Sequence, residues 1–310
     1  MSENWFQKKI GEITVKDNNS TEKRFVDTDL QKNIMYIKQQ FGDAFDVKYR
    51  KYNASGKEVY FIMVDGMCDS LLATEQVILP IIEADFADES GDKLIHSAAD
   101  SVSASIDKSI TNDIDEAIRE AIYGSIIMLT EGSHFVIMFG VQGFPKRAVL
   151  EPSTEMQERG SREAFVESFK DNVTMIRRRV RNPVFKTQIV EVGTTTKTRA
   201  CVCYMSDRVD KKMLRNVVER LKNSTLDTVL GSGYLQPFLD TKYYSIFSGV
   251  GFTERPDVLT AKISEGKICV IVDGTPNALI MPYLFVEHFH SLDDYLKRPY
   301  YATFIRVLKL

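Results

Sequence analysis

Lys57–Asp69 reads KEVYFIMVDGMCD, and a stretch of similar layout, TRACVCYMSDRVD, occupies Thr198–Asp210. Each pairs an apolar run typical of a strand with an aspartate that precedes a helical pattern. A second pair consists of GSIIMLTEGSHFVIMFG at Gly124–Gly140 and GKICVIVDGTPNALIMP at Gly266–Pro282. Corresponding residues lie 141 positions apart in the first pair and 142 in the second. This near-constant offset predicts two lobes built on one plan, although β-β-α units are common and the two halves share few identical residues.

The composition is that of a globular protein, with 44% hydrophobic and 27% charged residues. A length of 310 residues favours two domains, because single cores rarely grow beyond about 250–300 residues. The net charge of −3 gives no reason to expect nucleic acid as a partner. The predicted fold class is α/β (α+β), with two similar lobes, each a small mixed sheet with flanking helices.

Candidate catalytic and metal-binding patterns are weak throughout the chain. The four cysteines lie in or beside apolar runs, which predicts free buried thiols and a reducing compartment. No Cys-X-X-Cys occurs, and His288 with His290 lacks an evident third ligand. Gly231–Gly233 lacks the rest of a phosphate-binding fingerprint and is interpreted as a turn. We therefore expect neither an enzyme nor a bound cofactor or metal.

The polar, turn-forming stretch EPSTEMQERG at 151–160 predicts the connection between the two lobes. We expect a flexible segment at 1–27, a first lobe at 28–155 and a second lobe at 156–290. The last part, 291–310, ends on rising hydrophobicity with basic and aromatic residues, as sequences on the cytoplasmic flank of a membrane span do. An ordinary amphipathic helix is the alternative from composition alone. The chain has neither the apolar core of a signal peptide at its N-terminus nor a run of 18 apolar residues.

A long helix is predicted from Ser161, as its N-cap, to about Arg181. Apolar residues at helical spacing give it one buried stripe, namely Phe165, Phe169, Val173, Ile176 and Val180. The basic residues Arg177, Arg178, Arg179 and Arg181 suit the negative end of the helix dipole. We expect them to be partly solvent-facing and to form salt bridges between lobes or subunits.

Two aspartates, Asp65 and Asp273, each follow a strand and precede glycine. They could line a cleft between the lobes, but Asp-Gly is also ordinary turn chemistry, which is the simpler interpretation.

Three stretches resemble the GerA-type spore germination proteins, the A subunits of germinant receptors. They are VDGMCD at 64–69, EPSTEMQERGSREAFVESFKDNVTMIRRRVRNP at 151–183, and FTERPDVLTAKISEGKICVIVDGTPNALIMPYLFVEHFHSLDDYLKRPYYATFIRVLK at 252–309. The resemblance covers roughly residues 28 to 310. Receptor A subunits and sporulation-stage paralogues of the same family both remain open.

The resemblance implies an extramembrane region, arranged like a two-subdomain substrate-binding protein, that leads into transmembrane helices after the last motif. It implies partnership with B and C subunits in the spore inner membrane, and A subunits that self-associate into a channel. The segment 291–310 then becomes a juxtamembrane linker, and the domain faces the cytoplasm.

Two functions from different classes follow. The first is a sensor and assembly domain that couples nutrient-triggered germination signalling to a membrane channel. The second is a binding module that holds a small germinant or an ion between its lobes. The candidate residues for ligand binding or interface contacts are Asp65, Arg159, Arg162, Glu163, Asn172, Arg177, Arg178, Arg179, Glu254, Arg255 and Asp273. A pocket of about 300–1,000 Å³ with convergent polar groups would favour binding, and a closed, packed interface would favour assembly.

Overall fold

The computed structural model describes residues 23–86, 89–102, 104–143, 161, 163–240, 248–285 and 287. Within them the chain forms two five-stranded sheets, which confirms the two α/β lobes. Both sheets are fully antiparallel, so the prediction of mixed sheets was wrong in strand direction. We call the unit around the first sheet the first lobe and the unit around the second sheet the second lobe. The predicted boundaries 28–155 and 156–290 stay a prediction, because the connection between the lobes lies outside the described residues.

The two sheets have the same strand order. The first consists of β1 (Val47–Ala54), β2 (Lys57–Val64), β3 (Asp107–Thr111), β4 (Ser125–Thr130) and β5 (Val136–Gly140). The second consists of β6 (Phe185–Val192), β7 (Thr198–Met205), β8 (Gly251–Thr253), β9 (Ile268–Val272) and β10 (Ala278–Met281). Their orders are β1-β2-β4-β5-β3 and β6-β7-β9-β10-β8. The repeat inferred from the 141- and 142-residue offsets is therefore a repeat of topology, and the hairpins β1-β2 and β6-β7 occupy equivalent positions.

Helices cover both faces of each sheet. Those of the first lobe are α1 (Leu30–Phe41), α2 (Ser70–Ala73), α3 (Leu79–Glu83), α4 (Asp92–Ser101) and α5 (Ile114–Tyr123). Those of the second lobe are α6 (Phe169–Arg177), α7 (Lys211–Lys222), α8 (Ser232–Leu239) and α9 (Pro256–Ser264). Each sheet consequently has two apolar layers. Phe61 and Ile62, neighbours on β2, enter opposite layers as the alternation of a strand requires.

The helix predicted from Ser161 begins eight residues later, at Phe169, and Ser168 is its N-cap. The prediction of Ser161 as the cap was wrong, because residues 163–167 form no helix and are bonded to the second lobe instead. The amide of Phe165 donates to the carbonyl oxygen of Glu254, which ties this segment to the second lobe. The predicted apolar stripe is nevertheless buried over its whole length, from Phe165 to Val180.

Proline explains an irregular helix in the first lobe. A π-helical turn, Thr74–Ile78, lies between α2 and α3, directly before the turn that contains Pro80. In a regular α-helix, the ring of Pro80 would clash with a carbonyl group of the preceding turn, and proline has no N–H to bond that carbonyl. The wider π-helical turn accommodates both the ring and the missing hydrogen bond.

Weakly patterned stretches hid other elements. Residues 87–112 contain α4 and β3, and Gly231–Gly233 opens α8, so the interpretation of that motif as a turn was wrong. The segment 291–310 lies outside the described residues, as do most of residues 1–27.

Candidate functional site

Some individual hydrogen bonds occur at equivalent places in both lobes. Residues that form such repeated bonds build the lobe, whereas residues without a counterpart are specific to one lobe. In the first lobe the side chain of Asn33 accepts from the amide of Asp27 at 3.0 Å and donates to its carbonyl oxygen at 2.6 Å. In the second lobe Asn172 makes the same two bonds to Val166, at 2.8 and 2.5 Å. Both asparagines are buried. Asn172, a candidate for binding, therefore has a structural task that both lobes require.

Asp273 also has a counterpart. Its carboxylate accepts from the amide of Phe169 at 3.2 Å, as that of Glu131 accepts from Leu30 at 3.0 Å. Each acidic residue thus holds the start of the first helix of its lobe. Asp65 lies elsewhere, in the cleft between the lobes, so the structure does not bring Asp65 and Asp273 together.

Glu254 and Arg255 hold the segment that enters the second lobe. The carbonyl oxygen of Glu254 accepts from Phe165 at 2.8 Å. The buried guanidinium of Arg255 bonds both carboxylate oxygens of Asp257, at 3.2 and 2.7 Å, and the carbonyl oxygen of Ser161 at 3.0 Å.

Glu163 is paired within the second lobe. Its carboxylate accepts from Arg178 at 3.4 Å and from Arg179 at closer range. Both arginines are partly exposed, as predicted for the basic run. The remaining candidates, Arg159 and Arg162, lie outside the described residues.

Arg177 forms the buried ion pair between the two lobes. Its Nε and Nη2 donate to the two carboxylate oxygens of Asp46, at 2.8 and 2.9 Å. The side chains are 1% and 3% exposed. Its Nη1 donates to the carbonyl oxygen of Phe185 at 3.1 Å, and Thr187 Oγ1 donates to Asp46 at 2.7 Å. The expected salt bridge between lobes is present, but the expectation that Arg177 faces solvent was wrong, because its partner lies deep in the contact.

Apolar and polar contacts surround this ion pair. The rings of Phe45 and Phe169 lie 5.8 Å apart, and the amide of Phe45 donates to the carbonyl oxygen of Thr187 at 3.3 Å. Arg181 lies over the ring of Tyr123, 4.6 Å from its centroid. The two lobes therefore meet through a packed and hydrogen-bonded contact.

A lysine completes the contact beside the ion pair. Lys186 Nζ donates across to the carbonyl oxygen of Gln40, at the C-terminal end of α1, and to that of Pro183 at 2.8 Å. Burial, with a smaller effect of the Arg177 charge, lowers the pKa of Lys186 to about 8, against the opposing influence of Asp43 and Asp46. This ammonium therefore carries its charge at neutral pH and satisfies the end of a first-lobe helix.

An open cleft adjoins the packed contact. It has a volume of about 410 Å³. Its charged lining residues are Asp46, Asp65, Asp69, Lys170 and Asp171. Lys170 Nζ lies 3.9 Å from the Asp65 carboxylate, across the mouth between the lobes. The carboxylate of Asp69 is already engaged, since it caps α2.

Gly66 lies where the backbone of the first lobe closely approaches a side chain of the second lobe. A Cβ at this position would lie 2.2 Å from Thr174 Oγ1, whereas one at Gly56 would have no neighbour within 4 Å. Both glycines have φ +81°, so an alanine at either position would adopt the same unfavourable positive φ.

We expect Gly66→Ala to destabilise the chain by about 1–3 kcal/mol more than Gly56→Ala, because only the former forces the lobes apart. Urea denaturation measures the difference. Adding Thr174→Ala to Gly66→Ala should restore most of the loss. Equal losses for the two glycine variants would show that Gly66 does not limit the lobe contact.

Reactive chemistry has little support in the described part of the chain. Burial raises the pKa of the Cys68 thiol to about 12, and those of Cys201 and Cys269 well above the ordinary value, which disfavours thiolates. Among the described residues no group of three or more His, Cys, Asp or Glu side chains is placed to hold a metal ion. None of the described helices combines the length and apolar character needed to span a membrane.

The fold and the contact between the lobes define the class of protein. It is a duplicated α/β domain whose two lobes meet at a buried ion pair beside a polar cleft. The sequence profile described as Bacillus/Clostridium GerA spore germination protein matches residues 35–310. The chain belongs to this family.

The similar proteins include spore germination protein KA of Bacillus subtilis (strain 168), which is 30% identical over 91% of this chain and 52% of its own length. Spore germination protein B1 of the same organism is 28% identical, over 92% and 59%. Stage V sporulation protein AF of that organism is also 28% identical, over 89% and 56%. The chain thus spans little more than half the length of these relatives.

The fold matches a solved structure, the N-terminal domain of the A subunit of the Bacillus megaterium spore germinant receptor GerK3. The TM-score is 0.64 at 23% identity, and the match covers 84% of this chain and 98% of that one. This likeness bears out the two-lobed α/β fold.

Proposed function

We propose that the chain acts in nutrient-triggered spore germination as the extramembrane N-terminal domain of a receptor A subunit. In this role it assembles with B and C subunits, supports self-association of the A subunit, and couples the assembly to a membrane channel. The observation that carries the proposal is the Arg177–Asp46 pair, buried between the lobes. A pair that holds both lobes in one arrangement suits a domain that presents a fixed surface to other subunits.

The similar proteins support this assignment. Three of them are named for spore germination or sporulation, and each is nearly twice as long as the part matched here. The matched structure is the N-terminal domain of a receptor A subunit. We propose that the domain faces the cytoplasm at the spore inner membrane, because basic and aromatic residues crowd 291–310. The proposal contains no catalytic step.

The cleft supports a second candidate function, direct binding of a small nutrient or an ion. Its volume of about 410 Å³ lies within the range of small-molecule sites. Its lining brings Lys170 and Asp65 from opposite lobes close together. Charges of both signs would suit a polar ligand that carries both an amine and an acid.

Assembly predicts that nutrients leave the melting temperature of the 310-residue chain unchanged, because a ligand raises it only by binding the folded state. Thermal unfolding with amino acids, sugars and salts measures this. A saturable rise that Lys170→Ala abolishes, and that Lys212→Ala on the exposed face of α7 retains, would instead establish direct binding.

In spores, Gly66→Ala in the membrane-bound protein should reduce the B and C subunits that co-purify with it, compared with Gly56→Ala. Equal recovery would contradict the assembly role of the lobe contact.

A further inference from the structure

The chain leaves the first lobe along a path fixed by its backbone. After β5, the carbonyl oxygen of Val141 accepts from the amide of Asp69 at 2.9 Å, and the amide of Gly143 donates to Met67 at 3.1 Å. Cys68 and Gln142 pair between these two bonds as a β-bridge. Backbone bonds of this kind do not depend on which side chains are present or charged.

The chain leaves the second lobe in a different way. The 142-residue offset places Tyr283 and Phe285 where Val141 and Gly143 lie in the first lobe. Here the amide of Tyr283 donates to the carbonyl oxygen of Gly249 at 2.8 Å. The segment then turns, with the amide of Glu287 donating to the carbonyl oxygen of Leu284 at 2.9 Å.

Two lysines hold the Glu287 side chain at the end of this turn. Its carboxylate lies 2.7 Å from Lys262 Nζ, at the end of α9, and closer still to Lys267 Nζ, just before β9. It also accepts from the amide of Leu284 at 2.7 Å. Tyr283 Oη donates to the carbonyl oxygen of Glu287 at 3.2 Å. The Glu287 side chain is only 10% exposed, so water screens these charges little.

These lysines are specific to the second lobe. The equivalent positions of the first lobe, at the same offset, are Glu120 and Ser125, where the serine hydroxyl donates to the glutamate at 3.4 Å. Burial alone would raise the pKa of Glu287, but the bonds from Lys262 and Lys267, with that from the Leu284 amide, outweigh it and lower the pKa to about 2. Glu287 is therefore ionised in its place between two cations.

We propose that Glu287, Lys262 and Lys267 form a charge latch that fixes the path by which the chain leaves the second lobe toward residues 288–310. This inference rests on the proposed function, since a fixed exit lets displacement of the two lobes as one unit reach the membrane part without being absorbed at the boundary. The first lobe needs only a permanent connection and uses backbone bonds. A latch built from side-chain charges can open and close while both sheets remain intact.

Glu287→Gln tests the latch, and Glu265→Gln is its matched control. Glu265 contacts the same Lys262, at 3.2 Å, but its side chain is 51% exposed. Hydrogen exchange of the 310-residue chain, followed by mass spectrometry, reports opening of the turn at residues 282–287. We expect hydrogen exchange in this turn to become at least about tenfold faster in Glu287→Gln, because bonds to a charged group are lost. Exchange there should be unchanged in Glu265→Gln. Exchange equal to that of the unsubstituted chain, or raised equally throughout both lobes, would overturn the proposal.

A second measurement separates the latch from the function on which it rests. Spores whose membrane-bound protein carries Glu287→Gln should germinate more slowly with nutrients. The B and C subunits should still co-purify with that protein in normal amounts. Local opening with unchanged germination would show that the latch transmits nothing. Loss of the B and C subunits from the Glu287→Gln protein would likewise contradict a role confined to transmission. Failure of the assembly proposal appears separately, as an absence of B and C subunits already with the unsubstituted protein.

Discussion

Asp46→Ala should lower the free energy of unfolding by about 3–5 kcal/mol, because it leaves the guanidinium of Arg177 buried without its counterion. Both carboxylate oxygens of Asp46 are engaged by that guanidinium, and Thr187 adds a third bond. Neither arginine nor threonine can reach water without separating the lobes. Urea denaturation followed by circular dichroism measures the loss.

Asp43→Ala is the matched control, since Asp43 is exposed and lies three residues away. We expect it to change stability by about 0.5 kcal/mol or less. Replacing both partners, as in Asp46→Leu with Arg177→Met, should recover much of the loss, because no charge then remains buried. If Asp46→Ala were as stable as Asp43→Ala, the ion pair would not hold the lobes together.

Phe169→Ala should cost about 3–5 kcal/mol, the range for removing a buried aromatic side chain. Phe169 is 3% exposed and packs in the core beneath the second sheet. Its ring also contacts Phe45 of the first lobe, so the substitution leaves a void in the core and at the lobe contact together. Thermal and urea unfolding should both show the loss.

Phe252→Ala is the corresponding control in the same lobe, because Phe252 is 55% exposed on the edge strand β8. We expect a change within about 0.5 kcal/mol for this variant. A Phe169→Ala protein as stable as the Phe252→Ala protein would place Phe169 outside the core and would remove the main apolar contact between the lobes.

The two-lobed repeat could be predicted from the sequence because it rests on repeated local patterns, whereas the strand order within each sheet could not. Apolar runs such as β4 and β9 are buried over their whole length, and the Asp-Gly and Glu-Gly turns that follow them occur at the same offset. Short or polar elements gave no such signal. β8 has three residues, and Ser168 and Ser161 are equally good caps when only the neighbouring residues are considered.

The lobe contact could not be predicted, because its partners are remote in sequence. Asp46 precedes an ordinary strand and carries no motif, and its arginine lies 131 positions away. Of the four arginines near the end of α6, Arg177 forms the buried ion pair with the first lobe, Arg181 lies over the ring of Tyr123, and Arg178 and Arg179 pair with Glu163 within the second lobe. The charge run was visible in the sequence, whereas the choice among its members depends on packing.

The internal duplication also sorts the candidates that sequence reasoning grouped together. Asn172 and Asp273 repeat the bonds of Asn33 and Glu131, so their presence reflects the architecture of a lobe. Arg177 forms a bond between lobes that has no duplicate partner. The two lobes of one chain therefore distinguish residues that every lobe needs for its fold from residues that serve only one lobe.

The central claim, that both lobes keep one fixed arrangement, is tested most directly by a distance measurement between them. Spin labels at Glu75→Cys in the first lobe and Asn216→Cys in the second would occupy exposed positions, and the four native cysteines are buried. Electron double-resonance spectroscopy of this labelled chain should give one narrow distance distribution, unchanged when nutrients are added. A second distance, or a shift on addition of a nutrient, would show that the lobes open and close around a ligand and would contradict the account.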